Sequence, residues 1–95
     1  MIVVEVREDH VEVTGHAGYA EKGKDIVCAA VSVLFQNMCN SIQAFTGDRV
    51  RIRTDPGDSR IDFEELTENG KLLVDSFFCG ICAIADEYPE YVEIR

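Results

Sequence analysis

From Ile26 to Gly47 the chain carries no charged side chain, and Asp25 stands immediately before this run. A stretch so long and so poor in charge belongs either in a protein core or in lipid. Gln36, Asn37, Asn40, Ser41 and Gln43 interrupt it, and such polar groups break the apolar continuity that a membrane span needs. We therefore expect a buried helix and no membrane association. Asp25 is a good N-cap and Gly47 a good stop, which places the helix over Ile26–Phe45. Its apolar positions, among them Ile26, Val31, Phe35, Met38, Ile42 and Phe45, spread beyond one stripe. A second helix must cover part of that surface, and the remainder predicts a homodimer.

Residues 2–7 alternate imperfectly, with Ile2, Val4 and Val6 against Glu5 and Arg7, and residues 11–15 alternate again. With a turn at Glu8-Asp9-His10 they make an N-terminal hairpin. A second hairpin, Arg49–Thr54 with Arg60–Glu65, turns at Asp55-Pro56-Gly57-Asp58. Residues 69–87 read as a second helix stopped before Pro89, and Tyr91–Ile94 as a short last strand. The order predicts an α+β fold, with an antiparallel or mixed sheet of four to five strands (two hairpins plus the short C-terminal strand). Two helices pack on one face, and residues 1–95 form a single domain. Glu5, Glu12, Arg51, Arg53, Asp62 and Glu64 would then line the open face.

A net charge of −9 with a pI near 4.5 disfavours direct nucleic-acid binding, which needs phosphates neutralised by Lys and Arg. It suits a basic partner instead. The N-terminus MIVVEVREDH has early acidic residues and no small-residue cleavage site, so we expect a strand there and a cytoplasmic protein. In that reducing compartment the four cysteines are thiols.

One of them stands out. Cys28 falls three residues after the Asp25 cap, in the first helical turn, where unpaired N–H groups and the helix dipole favour an anion. A thiolate is stabilised there, and the same amides could receive the oxyanion of a tetrahedral intermediate. His16 ends the second strand and, by parity with Glu12 and Thr14, is no core histidine. It supplies a general base for Cys28. Asp25 is at once a cap and a candidate to orient the imidazole. The intervening loop, GHAGYAEKGK, holds Gly15, Gly18 and Gly23, so it can fold back and move. Because the His16 parity is that of the open face, the pair should meet at the edge of the sheet, with Gly15 breaking the alternation.

Gly15-His16-Ala17-Gly18-Tyr19, then Gly23 and Asp25-Ile26-Val27-Cys28-Ala29-Ala30-Val31-Ser32-Val33-Leu34, closely resembles the signature of the ribosomal-processing cysteine protease family (Prp). The resemblance implies a His16–Cys28 dyad with Asp25 as the neighbouring acid and a loop that moves on substrate binding. It also implies a cytoplasmic homodimer that removes a short N-terminal extension from large-subunit ribosomal protein twenty-seven, without a cofactor. Gly18, Tyr19 and Gly23 would belong to the substrate loop.

Other features have plainer readings. Ser32, one turn beyond Cys28, either lines the site or allows close helix packing. Cys79-x-x-Cys82 lies inside a helix and not at its N-terminus, where a redox thiolate wants to be. Neither Cys39 nor His10 has zinc spacing to it, so we expect no metal and read Cys39, Cys79 and Cys82 as core thiols. Arg49, Arg51 and Arg53 share a strand face and should pair with Asp62 and Glu64 across the hairpin. A non-catalytic ribosome-associated binding protein is the alternative from another class.

Overall fold

Alternation decides which way each strand faces. In the computed structural model, which describes residues 1–95, β1 (Ile2–Val6), β2 (His10–Gly15), β3 (Val50–Asp55), β4 (Asp58–Phe63) and β5 (Val92–Ile94) join in the order β3-β4-β2-β1-β5. Ile2, Val4, Val11, Ile61, Phe63 and Val92 all point to one face and are buried there. Every neighbouring pair is antiparallel except β1 with β5, which run parallel with Ile2 opposite Val92. The sheet is therefore mixed. This parallel neighbour needs a long crossover, and α2 (Glu68–Glu87) provides it.

Helix α1 (Ile26–Phe45) buries Val27, Val31, Phe35, Met38, Cys39 and Ile42, the i, i+4, i+7 spacing of one helical face. It is long and apolar enough to cross a membrane by length and composition, yet that face lies in the shared core with the sheet. Helix α2 buries Val74, Phe77 and Ile81. The helices meet where Phe35 and Phe77 pack edge to face at 6.3 Å and where Gly80 admits Leu34, which a Cβ would approach to 2.8 Å. Sixteen buried side chains form one cluster across both helices and the sheet.

The second hairpin is tighter than its sequence suggests. Asp55 pairs with Asp58, so the turn is only Pro56-Gly57, and β4 begins two residues before Arg60. The arginines also differ from expectation. Arg53 bonds Asp58 at 2.8 Å within its own hairpin, while Asp62 and Glu12 are taken by Arg60 at 2.9 and 3.3 Å. Register explains this: Arg60 stands directly beside Glu12 in the adjacent strand.

Candidate active site

The N-terminus of α1 is built around one carboxylate. Oδ1 of Asp25 accepts from the N–H of Val27 at 3.0 Å and of Cys28 at 2.9 Å. Oδ2 accepts from the N–H of Tyr19 at 2.9 Å and of Ala20 at 3.2 Å. Four amides hold the carboxyl below the ordinary carboxylate range, the Cys28 bond contributing most. Asp25 is thus the cap that its position suggests, and it also ties the loop 16–24 to the helix. Its carboxylate makes no bond to the His16 ring, because all its acceptor capacity faces backbone amides.

The arrangement changes one expectation. The first-turn amides of Val27 and Cys28 were candidates for the oxyanion, but both already donate to Asp25. Sγ of half-buried Cys28 accepts instead from the N–H of Ala17 at 3.2 Å. Ala17 is 4% exposed, the only loop residue buried in the core.

His16 leaves the end of β2, whose neighbours are β1 and β4. The residue therefore stands at the end of a central strand and not at the sheet's edge. Gly15 makes the exit at φ 88°, with its N–H donating to the Gly57 carbonyl at 2.9 Å. This conformation is open to glycine and strained for other residues. The turn so fastened carries the imidazole: a Cβ on Gly57 would come within 2.7 Å of Nε2 of His16. The ring makes no hydrogen bond to Cys28 here, yet both residues line one cavity of about 340 Å³. Val13, Val31 and Phe35 form its apolar floor, and Ser32, Gln36 and Asp58 part of its rim. Ser32 is exposed and accepts from the Gln36 amide at 3.0 Å.

Of the loop residues, Gly18 and Gly23 adopt φ of 71° and 89°. Tyr19 packs edge to face on Tyr88 at 5.5 Å and on Tyr91 at 5.3 Å. A loop expected to move is thus fastened in this state by a carboxylate and an aromatic clasp. Gly57, Tyr88 and Tyr91 had no signal in the sequence, since what brings them to the site is tertiary pairing over long separations.

A larger groove, about 1500 Å³, opens at the opposite end of the sheet. Charges of both signs line it, including Arg49, Arg51, Asp62 and Lys71, and it contains neither a cysteine nor a histidine. Size alone does not make it the reactive site. The other thiols lie elsewhere. Burial pushes Cys39 up to about 11, which keeps it protonated and inert. Cys79 is exposed and Cys82 only half-buried, a correction to the reading of both as core thiols. The buried face of α2 runs through Val74, Phe77 and Ile81, and Cys79 points away from it. No three His, Cys, Asp or Glu side chains converge as a metal site would require.

The family model for cysteine protease Prp matches residues 1–93. The chain belongs to this family. It is a cysteine protease, which sets aside the non-catalytic alternative. A ribosomal processing cysteine protease Prp of Mycoplasma genitalium is 30% identical over 98 residues, an alignment spanning 100% of this chain and 95% of that protein. The Staphylococcus aureus Prp solved with a covalently linked product peptide superposes with a TM-score of 0.93 at 28% identity, covering 100% of this chain and 98% of that one. The same S. aureus protease with a substrate peptide gives 0.83 at 25% identity, over 99% and 95% of the two chains.

Proposed function

We propose that Cys28 is the nucleophile and His16 the general base of a processing protease acting on a ribosomal protein precursor. The observation that carries this reading is the shared cavity: a half-buried thiol in the first turn of α1 and an imidazole on the Gly57 turn face the same space. His16 takes the thiol proton, and the thiolate attacks the scissile carbonyl carbon, forming a C–S bond as the carbonyl electron pair moves to oxygen. Collapse of that intermediate breaks the C–N bond, and His16 gives its proton to the departing amine. Water, activated by the same imidazole, then hydrolyses the thioester and frees the thiol. No metal or cofactor enters these steps.

Asp25 supports the pair by fixing the loop, Ser32 lines the cavity, and Gly18, Tyr19 and Gly23 shape the segment that the peptide must pass. The relatives named ribosomal processing proteases support a ribosomal protein as substrate, and the resemblance of the His16–Cys28 signature implies that it is a large-subunit one. A short N-terminal extension on protein twenty-seven is the segment removed. A basic ribosomal substrate suits a net charge of −9. The reaction belongs in the cytoplasm, where the thiol stays reduced. Ile26 and Val33, 56% and 61% exposed on an uncharged face of α1, are the surface we assign to a homodimer contact.

The test is cleavage of the extended precursor by Cys28→Ser and His16→Ala. Both variants, shown by circular dichroism to be folded, should lose activity. Retained cleavage by Cys28→Ser overturns the assignment of the nucleophile.

A further inference from the structure

A cysteine in the first turn of a helix is ordinarily served by the helix's own amides. Here the amides of Val27 and Cys28 are engaged, both donating to the Asp25 carboxylate. The donor that the structure places on the Cys28 sulfur comes instead from outside the helix. We infer that the backbone N–H of Ala17 is that donor, a catalytic amide that holds the Cys28 thiolate before attack. The inference rests on Cys28 being the nucleophile.

The geometry is built for this contact. The N–H of Ala17 lies 3.2 Å from Sγ and is the sole hydrogen-bond donor on it. Ala17 is 4% exposed, so water does not compete for its amide. The backbone is pinned on both sides: the His16 carbonyl accepts from the Met1 amino group at 2.7 Å, and Tyr19 and Ala20 donate to Asp25. Asp25 thereby acts twice. It takes the helix amides away from the sulfur, and it draws the loop down so that Ala17 replaces them. The proton leaving sulfur goes to His16, while the Ala17 proton stays on its nitrogen and only strengthens its bond as the sulfur gains charge.

The decisive experiment replaces the Ala17 amide by an ester. Residues 1–27 carrying lactic acid in place of Ala17 are synthesised as a thioester and ligated to recombinant residues 28–95, with Cys28 as the junction. An all-amide chain and a chain with glycolic acid in place of Gly18 are made in the same way. Alkylation of Cys28 by iodoacetamide, followed peptide by peptide in the mass spectrometer, should be roughly tenfold slower at neutral pH in the Ala17 ester, the loss of one hydrogen bond to a charged acceptor. The Gly18 ester should match the all-amide chain. Equal rates in all three chains, with matching circular dichroism, overturn the inference.

A measurement on the unmodified protein decides the matter even if the ester chain does not fold. In 15N-labelled protein the Ala17 amide resonance should shift with pH at the midpoint of Cys28 alkylation, and this step should vanish in Cys28→Ala. An Ala17 resonance without that step also overturns the inference. Both readouts report on the thiol and not on proteolysis, so they remain separable from a failure of Cys28→Ser to lose cleavage.

Discussion

The two long helices begin alike and end up with different tasks. Helix α1 is capped by Asp25 and α2 by Thr67, whose hydroxyl accepts from the Gly70 N–H at 3.3 Å. In each case an aspartate ties a remote segment to the cap. Asp25 reaches the loop at Tyr19 and Ala20, whereas Asp48 reaches the Thr67 N–H and hydroxyl at 3.2 and 3.0 Å. The difference lies at the third helical position. In α1 it is Cys28, facing a cavity; in α2 it is Gly70, buried against Asp48 and Leu66 with no room for a Cβ. The same capping chemistry makes a reactive corner where the space is left open and a structural joint where it is closed.

The comparison can be broken at four points. The largest effect is at the open corner: Cys28→Gly makes α1 begin as α2 does and should lower cleavage of a precursor peptide by about a thousandfold or more, as removal of a nucleophile does. Its fold should persist by circular dichroism. At the closed joint, Gly70→Ala drives a methyl into the Asp48 carboxylate. It should cost about 1–3 kcal/mol of stability, the range for overpacking, seen as a lower midpoint in urea. Activity of the folded fraction should not change. Thr67→Ala removes the hydroxyl cap together with the bond that hydroxyl donates to Asp48, and should cost about 1 kcal/mol by the same measurement.

The fourth point is the charge of Asp25. Its carboxyl is held below the ordinary carboxylate range, foremost by the Cys28 N–H bond. Stability from it is fully present above the unfolded value of about 4 and is lost as pH falls through the lower folded value. Asp25→Asn should therefore give a flatter acid-unfolding curve below about pH 4. Identical acid curves for wild type and Asp25→Asn would remove the carboxylate from this role.

Much of this was legible along the chain. A cap and the residue three positions later are joined by local backbone geometry, so Asp25 and Cys28 declare their relation in four consecutive letters. Period-2 alternation likewise shows which residues of β1, β2 and β4 turn inward. The parity of His16 keeps it out of the core, where it is indeed absent, and the positive φ of Gly15 breaks the alternation one residue before it. Strand order was invisible: that β2 is central, and that β5 joins β1 in parallel, depends on pairings between distant segments.

Sequence alone determined the elements, the apolar face of each, and the placement of a cysteine where a helix begins, since all three follow from interactions within a few residues. Only the tertiary structure decided what meets that cysteine. The Asp25 carboxylate could have left the helix amides free, and the loop could have placed any of its N–H groups over the sulfur. Closure of the loop onto α1, with Ala17 buried and Tyr19 clasped by Tyr88 and Tyr91, selected one arrangement. That choice comes from packing between segments far apart in the chain, which no local pattern encodes.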